Sequence, residues 1–219
     1  MKFTRLFLQI GPVKRILKEV NTPYALRHMD PYPAIFNRLY SQLPELTRWM
    51  QRTRERYLSS ATAVAELGFK KIDVVYPPNI RNFAKLVADF EHVPVPSFTQ
   101  MGLEQLKEFE GLNPVGITFN DMIYLQEGYF DEMTCFHEMI HVVQWKHLGI
   151  EKFLISYGVL QAVHGYKDNP FEQIAQYYQE RLESNALPMN FLEKTRQHAI
   201  DTWNSVNPLY RFSESLLDG

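Results

Sequence analysis

His137 and His141 stand four residues apart with Glu138 between them, in the run Phe136-His137-Glu138-Met139-Ile140-His141-Val142-Val143-Gln144-Trp145. On a helix this spacing puts the two imidazoles one turn apart on a single face. Two rings so placed can share one zinc ion. Glu138 lies about 100° around the helix from His137, near enough for its carboxylate to hold a water on that ion. The plainer reading is a pair of buried, hydrogen-bonded histidines flanking the apolar stripe of Met133, Phe136, Ile140 and Val143.

A helix must carry this motif, and its ends are legible. Asp131 is a capping residue and Gly149 a stop. Cys135 falls about 200° around the helix from His137, away from the site, and reads as a small core residue. A three-ligand zinc site with an open position needs one more donor. His147 follows His141 by the interval of the H-E-x-x-H-x-x-G-x-x-H signature, but Gln144 occupies the glycine position that lets that chain turn back. On an unbroken helix His147 sits about 9 Å further along and about 120° off the face, so it is rejected.

The segment Asn169-Pro170-Phe171-Glu172 opens a second helix, with Asn169 as cap and Pro170 in the first position, running to about Leu187. Glu172 in its first turn can complete a His₂Glu set. Asn169-x-x-Glu172 also fits a capping box, in which Glu172 serves only its own helix. Glu180 and Glu183 on the same helix are the other candidates.

The residues quoted so far fit the H-E-x-x-H signature of zinc peptidases. The chain resembles the gluzincin type, in which a glutamate on a later helix is the third ligand. Phe136-His137-Glu138-x-x-His141-Val142-Val143-Gln144-Trp145, Phe153-Leu154-x-x-Tyr157, Gly165-Tyr166 and Asn169-Pro170-Phe171-Glu172-x-x-Ala175 are similar to a group of small bacterial metallopeptidases over roughly residues 70–187. The strand segments Gly116–Phe119 and Met122–Leu125 resemble that group's substrate-side sheet. The resemblance implies Zn²⁺ held by His137, His141 and Glu172, with Glu138 as general base in peptide-bond hydrolysis. It also implies a tyrosine or histidine donor for the developing oxyanion: Tyr166 first, then Tyr157, then His198. Asp168 or Asn169 would orient a ligating histidine through its free ring nitrogen. The alternative is a catalytically silent zincin, a metal-stabilised binding or regulatory protein. A metal-free helical interaction protein with a fortuitous motif is a third class.

The rest of the chain must position these groups. Residues 1–67 read as a helical N-terminal extension packing on the core, and 68–219 as the zincin-like domain. Leu46, Trp49, Met50, Leu58, Ala61, Val64 and Leu67 recur at helical spacing up to Gly68. Lys71–Tyr76 reads as a β-branched strand and Ile80–Phe90 as a helix. Leu103, Leu106 and Phe109 suggest a short helix ending near Gly111. Alternation on both sides of Asn120-Asp121 predicts a hairpin, whose exposed edge could pair with an extended peptide. The expected class is therefore α+β, predominantly helical, with a small twisted sheet.

The 219 residues carry a net charge of −2 and one cysteine. That charge gives no footprint for nucleic acid, and one cysteine permits no internal disulfide. The apolar start, Met1 to Ile10, is too short for a signal peptide and no run is long enough to span a membrane. A cytoplasmic protein acting on a peptide or protein substrate is the expectation.

Overall fold

A computed structural model describes residues 31–217, with side chains described for 34–206. The part of the expected helical extension that falls within residues 1–30 lies outside the described residues. The elements below belong to the compact unit that begins at Tyr32. It is mostly helical around a small mixed sheet, an α+β architecture.

Helix α1 (Pro31–Tyr57) leads through a 3₁₀ turn (Leu58–Ser60) to strand β1 (Thr62–Ala63), and a second 3₁₀ turn (Val64–Glu66) follows it. Short helices α2 (Lys70–Val75) and α3 (Pro78–Arg81) precede β2 (Lys85–Phe90). After α4 (Lys107–Gly111) come β3 (Gly116–Phe119) and β4 (Met122–Gln126). Then follow the long α5 (Glu132–Asp168), α6 (Pro170–Glu183) and α7 (Phe191–Leu217). Among the described residues no helix is long and apolar enough to cross a membrane.

The strands lie in the order β1-β2-β4-β3; β2 and β4 are parallel and the outer pairings antiparallel. The β3–β4 hairpin turns at Asn120-Asp121 as expected, with Ile117 opposite Tyr124 and Thr118 opposite Ile123. Only Asn120 takes the left-handed conformation, at φ 57°. Asp121 instead receives a forked pair of hydrogen bonds from Arg54 of α1, at 2.8 to 3.1 Å, tying α1 to the turn.

Two expectations are corrected. Lys71–Tyr76 is not a strand: Ile72 and Tyr76 are buried four residues apart while Val74 is 84% exposed, which is a helical face. The Glu132 carboxylate accepts from the backbone N–H groups of Lys71 and Ile72, serving the donors at that helix's start. Conversely, Ile80–Phe90 is not one helix. Ile80 belongs to α3, and Leu86 and Val87 are buried in β2, whose register shifts between Val87 and Phe90 where Asp89 has φ 70°. That irregularity breaks the strand's period of two and leaves a spacing that imitates a helix. Helix α1 also ends at Tyr57, so Ala61, Val64 and Leu67 are not on it.

Helix α5 is broken twice, at Gly149 (φ 77°, ψ 170°) and Gly165 (φ 73°, ψ 175°). The break at Gly149, the expected stop, lets the chain turn where a side chain would be strained. Its second stretch returns so that Phe153 stacks on Trp145 with ring centroids 4.0 Å apart. The first stretch is buried on nearly every side. Phe136, Ile140 and Val143 pack with Ile174, Tyr178 and Phe191 in one apolar cluster. Trp145 and Leu148 pack with Leu39, Leu43 and Phe153 in another. Each such side chain contributes roughly 1.5–3 kcal/mol on burial, so the motif helix is anchored firmly from both sides.

Candidate metal centre

Asp131 caps the motif helix by accepting from the N–H groups of Met133 and Thr134, so α5 starts where the sequence indicated. His137 and His141 then fall on one face, with their Nε2 atoms 3.2 Å apart. Asn169 caps α6 through the Phe171 N–H, and Pro170 follows in the first helical position. Glu172, one turn on, points to the histidines: its Oε2 lies 3.4 Å from His137 Nε2 and its Oε1 3.4 Å from His141 Nε2. Glu172 therefore does not close a capping box. Glu180 and Glu183 are exposed and bond Gln176 and Gln179. His147 is exposed as well.

His137, His141 and Glu172 form a buried group that could hold a metal ion. Donors about 2.0–2.2 Å from one tetrahedral ion stand about 3.3–3.6 Å from one another; here the two nitrogens are 3.2 Å apart and each lies 3.4 Å from a different Glu172 oxygen, close to that spacing. Glu172 Oε2 is buried without a hydrogen-bond partner among the described residues, an acceptor that a cation would satisfy.

Each imidazole is backed by a carboxamide. Gln144 Oε1 lies 2.8 Å from His141 Nδ1, and Gln179 Oε1 lies 3.2 Å from His137 Nδ1. The amide nitrogens are committed elsewhere: Gln144 Nε2 donates to Phe171 O, and Gln179 Nε2 to Glu183 Oε1. Both amide oxygens must therefore face the rings, which places the proton on each Nδ1 and leaves each Nε2 lone pair for the site. Asn169 and Asp168 do not take this orienting part. Asn169 bonds Phe171, Tyr157 and Gln161, and Asp168 is exposed. Gln144 was on view as the residue that departs from the metzincin pattern, three places after His141. Gln179 was detectable at seven residues from Glu172, two turns along the same face.

Tyr157 Oη donates to Glu172 Oε1 at 2.7 Å, so this hydroxyl holds the carboxylate. Tyr166 and Tyr157 both line a recess that opens beside Glu138, His141 and Glu172, and burial and the Glu172 charge raise the Tyr166 hydroxyl pKa. His198 is not among the residues around that recess. Its ring packs within α7's surroundings, and burial pushes it down to about 4.

Glu138 occupies a different niche. Its Oε2 accepts from Thr118 Oγ1 at 2.7 Å. Its Oε1 lies where a β-carbon on Gly116 would come within 2.6 Å, so only glycine leaves room for it. Burial raises the Glu138 carboxyl, with His141, His137 and the Thr118 hydroxyl pulling partly back. Burial also raises Glu172, but the His141 charge and the close approach of both imidazoles outweigh it and hold this carboxyl well below the usual range. Burial lowers His141, yet the Glu172 charge and hydrogen bond lift it to about 9 in the metal-free protein.

The expected exposed strand edge is covered. β3 is the edge strand, but Gly116, Ile117 and Thr118 are buried. Gln126 N–H bonds Val115 O, so by alternation Ile117 and Phe119 face β4 while Gly116 and Thr118 present their backbone groups outward. The outward Thr118 carbonyl already accepts from Trp145 Nε1 at 3.1 Å. Cys135 is in the core, fully buried, as expected.

Comparison with family models, curated proteins and solved structures gives no match to this chain.

Proposed function

We propose that the protein is a zinc-dependent metallopeptidase of gluzincin type, with a zincin-like arrangement of sheet, motif helix and glutamate-bearing helix. The convergence of two ε-nitrogens and the partnerless Glu172 oxygen, spaced as one small cation requires, supports this reading most directly. Imidazole and carboxylate donors suit zinc. When bound, zinc supplies Lewis acidity toward a carbonyl oxygen and toward water.

The chain's own residues do the rest. Gln144 and Gln179 hold the two rings in the ligating tautomer, and Tyr157 fixes the rotation of Glu172. Glu138, whose Oε2 accepts from the Thr118 hydroxyl, takes a proton on Oε1 from the attacking water. It returns that proton to the departing amine nitrogen, so carboxylate and acid forms alternate within one turnover. Its raised pKa brings it nearer the working range of a base that must also act as an acid. Tyr166, which lines the recess beside Glu138, His141 and Glu172, is the donor proposed for the oxyanion.

The test is Glu138→Gln. Zinc content and affinity should stay within about threefold of the parent, since Glu138 is not a ligand, while hydrolysis of a peptide mixture falls about 10²- to 10⁴-fold. Undiminished hydrolysis would refute the mechanism, and a variant that binds no zinc would refute the ligand assignment. A parent that binds zinc yet cleaves nothing would favour the silent zincin.

A further inference from the structure

The recess beside the triad has walls that say something about what enters it. Its volume is about 80 Å³, and it extends from Glu138, His141 and Glu172 to an apolar wall that includes Leu39, Leu46, Phe109, Ile117, Phe153 and Leu154. Among the described residues no lysine, arginine or aspartate lines it; the charged groups there are those of the site itself. A carboxylate or ammonium seated against that apolar wall, away from the site, would be desolvated without an ionic partner. A cavity of about 150 Å³ holds benzene and a water takes about 30 Å³, so this recess suits about three or four aliphatic carbons and is small for an aromatic ring. One wall is tight: a β-carbon on Gly158 would come within 2.9 Å of Leu39 Cδ1.

The strand beside it bears on how a substrate could approach. Pairing an extended backbone at Thr118 would require its outward carbonyl, which the buried Trp145 indole occupies. Next to it, Glu138 lies against Gly116. Those are the positions at which an added strand would find its bonds.

We infer that the site takes its substrate end-on, with a short uncharged aliphatic group seated in this recess, rather than as an extended strand along β3. This rests on the metal reading of the triad and adds the class of group that is recognised.

The test uses the zinc-loaded full chain and titration calorimetry with straight-chain alkyl hydroxamic acids, from acetyl to octanoyl. These share one head group for the metal. Affinity should rise about fourfold per added methylene up to about the butanoyl or pentanoyl member and then stop rising, with benzohydroxamic acid weaker than the butanoyl member. Leu39→Ala should move the break to longer chains. Extending the butanoyl compound by two alanine residues should add less than about threefold. Zinc binding with affinity independent of chain length, or rising unbroken to octanoyl, would overturn the recess assignment and leave the metal reading intact. A gain of tenfold or more from the alanine extension would overturn end-on binding. Failure to bind zinc would overturn both readings. Because the parent series needs no substitution, a misfolded Leu39→Ala leaves the result decisive.

Discussion

Two buried carboxylates serve the same histidine pair from different parts of the fold, and their surroundings push them in opposite directions. Glu138 sits against β3, where one hydroxyl donates to it and burial prevails, so its carboxyl is raised. Glu172 sits at the start of α6, where Tyr157 and both imidazoles converge on it, and its carboxyl is held down. Identical chemistry thus yields a raised carboxyl in one niche and one held ionised in the other. The groups that face each carboxylate decide the difference, not depth, since both side chains are almost fully enclosed.

The comparison breaks most completely if the anion is removed. Glu172→Ala should lower zinc affinity well beyond the 10- to 100-fold that loss of a supporting residue costs, measured by competition with a chromogenic chelator. An affinity close to that of the parent would show that the niche at α6 holds no ligand. Gln144→Leu leaves both carboxylates in place but releases His141 from its tautomer, and should weaken zinc about 10- to 100-fold. An unchanged affinity would mean the ring needs no such support.

Acidity gives a milder test. With His141 raised to about 9, a metal ion arriving at neutral pH must displace its proton. Zinc affinity should climb about tenfold per pH unit up to about pH 9 and level off above it. Calorimetry in buffers of different ionisation enthalpy should show about one proton released at pH 7. For the metal-free fold the sign reverses. The raised pKa lends stability fully below the ring's ordinary 6.5, and that contribution is lost as pH rises through about 9. Thermal melts of the apo protein that gain stability over this interval would contradict the assignment. The smallest expected effect concerns Thr118→Val, which removes the one hydroxyl donor to Glu138. The acid limb of the activity profile should move to higher pH while zinc binding is unaltered, and Thr118→Ser should restore it. A shift toward acid would show that the hydroxyl does not favour the ionised form.

His137 and His141 could be paired from their interval because a helix has a fixed pitch, whereas the cap and proline placed Glu172 in a first turn and the resemblance set it ahead of Glu180 and Glu183. The supporting residues were less legible. An amide such as Gln144 has no spacing signature of its own, and Thr118 meets Glu138 across twenty residues of chain through a hairpin. In the fold, the Asn120-Asp121 turn and the α6 start were visible because capping and turn chemistry are local. Lys71–Tyr76 and Ile80–Phe90 were exchanged, strand for helix, because their burial depends on distant partners. The Glu132 carboxylate seats α2, and a register shift at Asp89 distorts β2. The covered edge of β3 had no sequence signal at all, since Trp145 reaches Thr118 only after both elements are packed.

Backing both rings with neutral amides has a further effect. Carboxylates in those two places would bring negative charge close to the cluster and give the rings imidazolate character. With Gln144 and Gln179 there instead, a divalent ion would have only the single charge of Glu172 against it among its ligands. Such a centre keeps a surplus of positive charge, which should make phosphonates and other anionic mimics of a tetrahedral adduct bind better than their cationic counterparts.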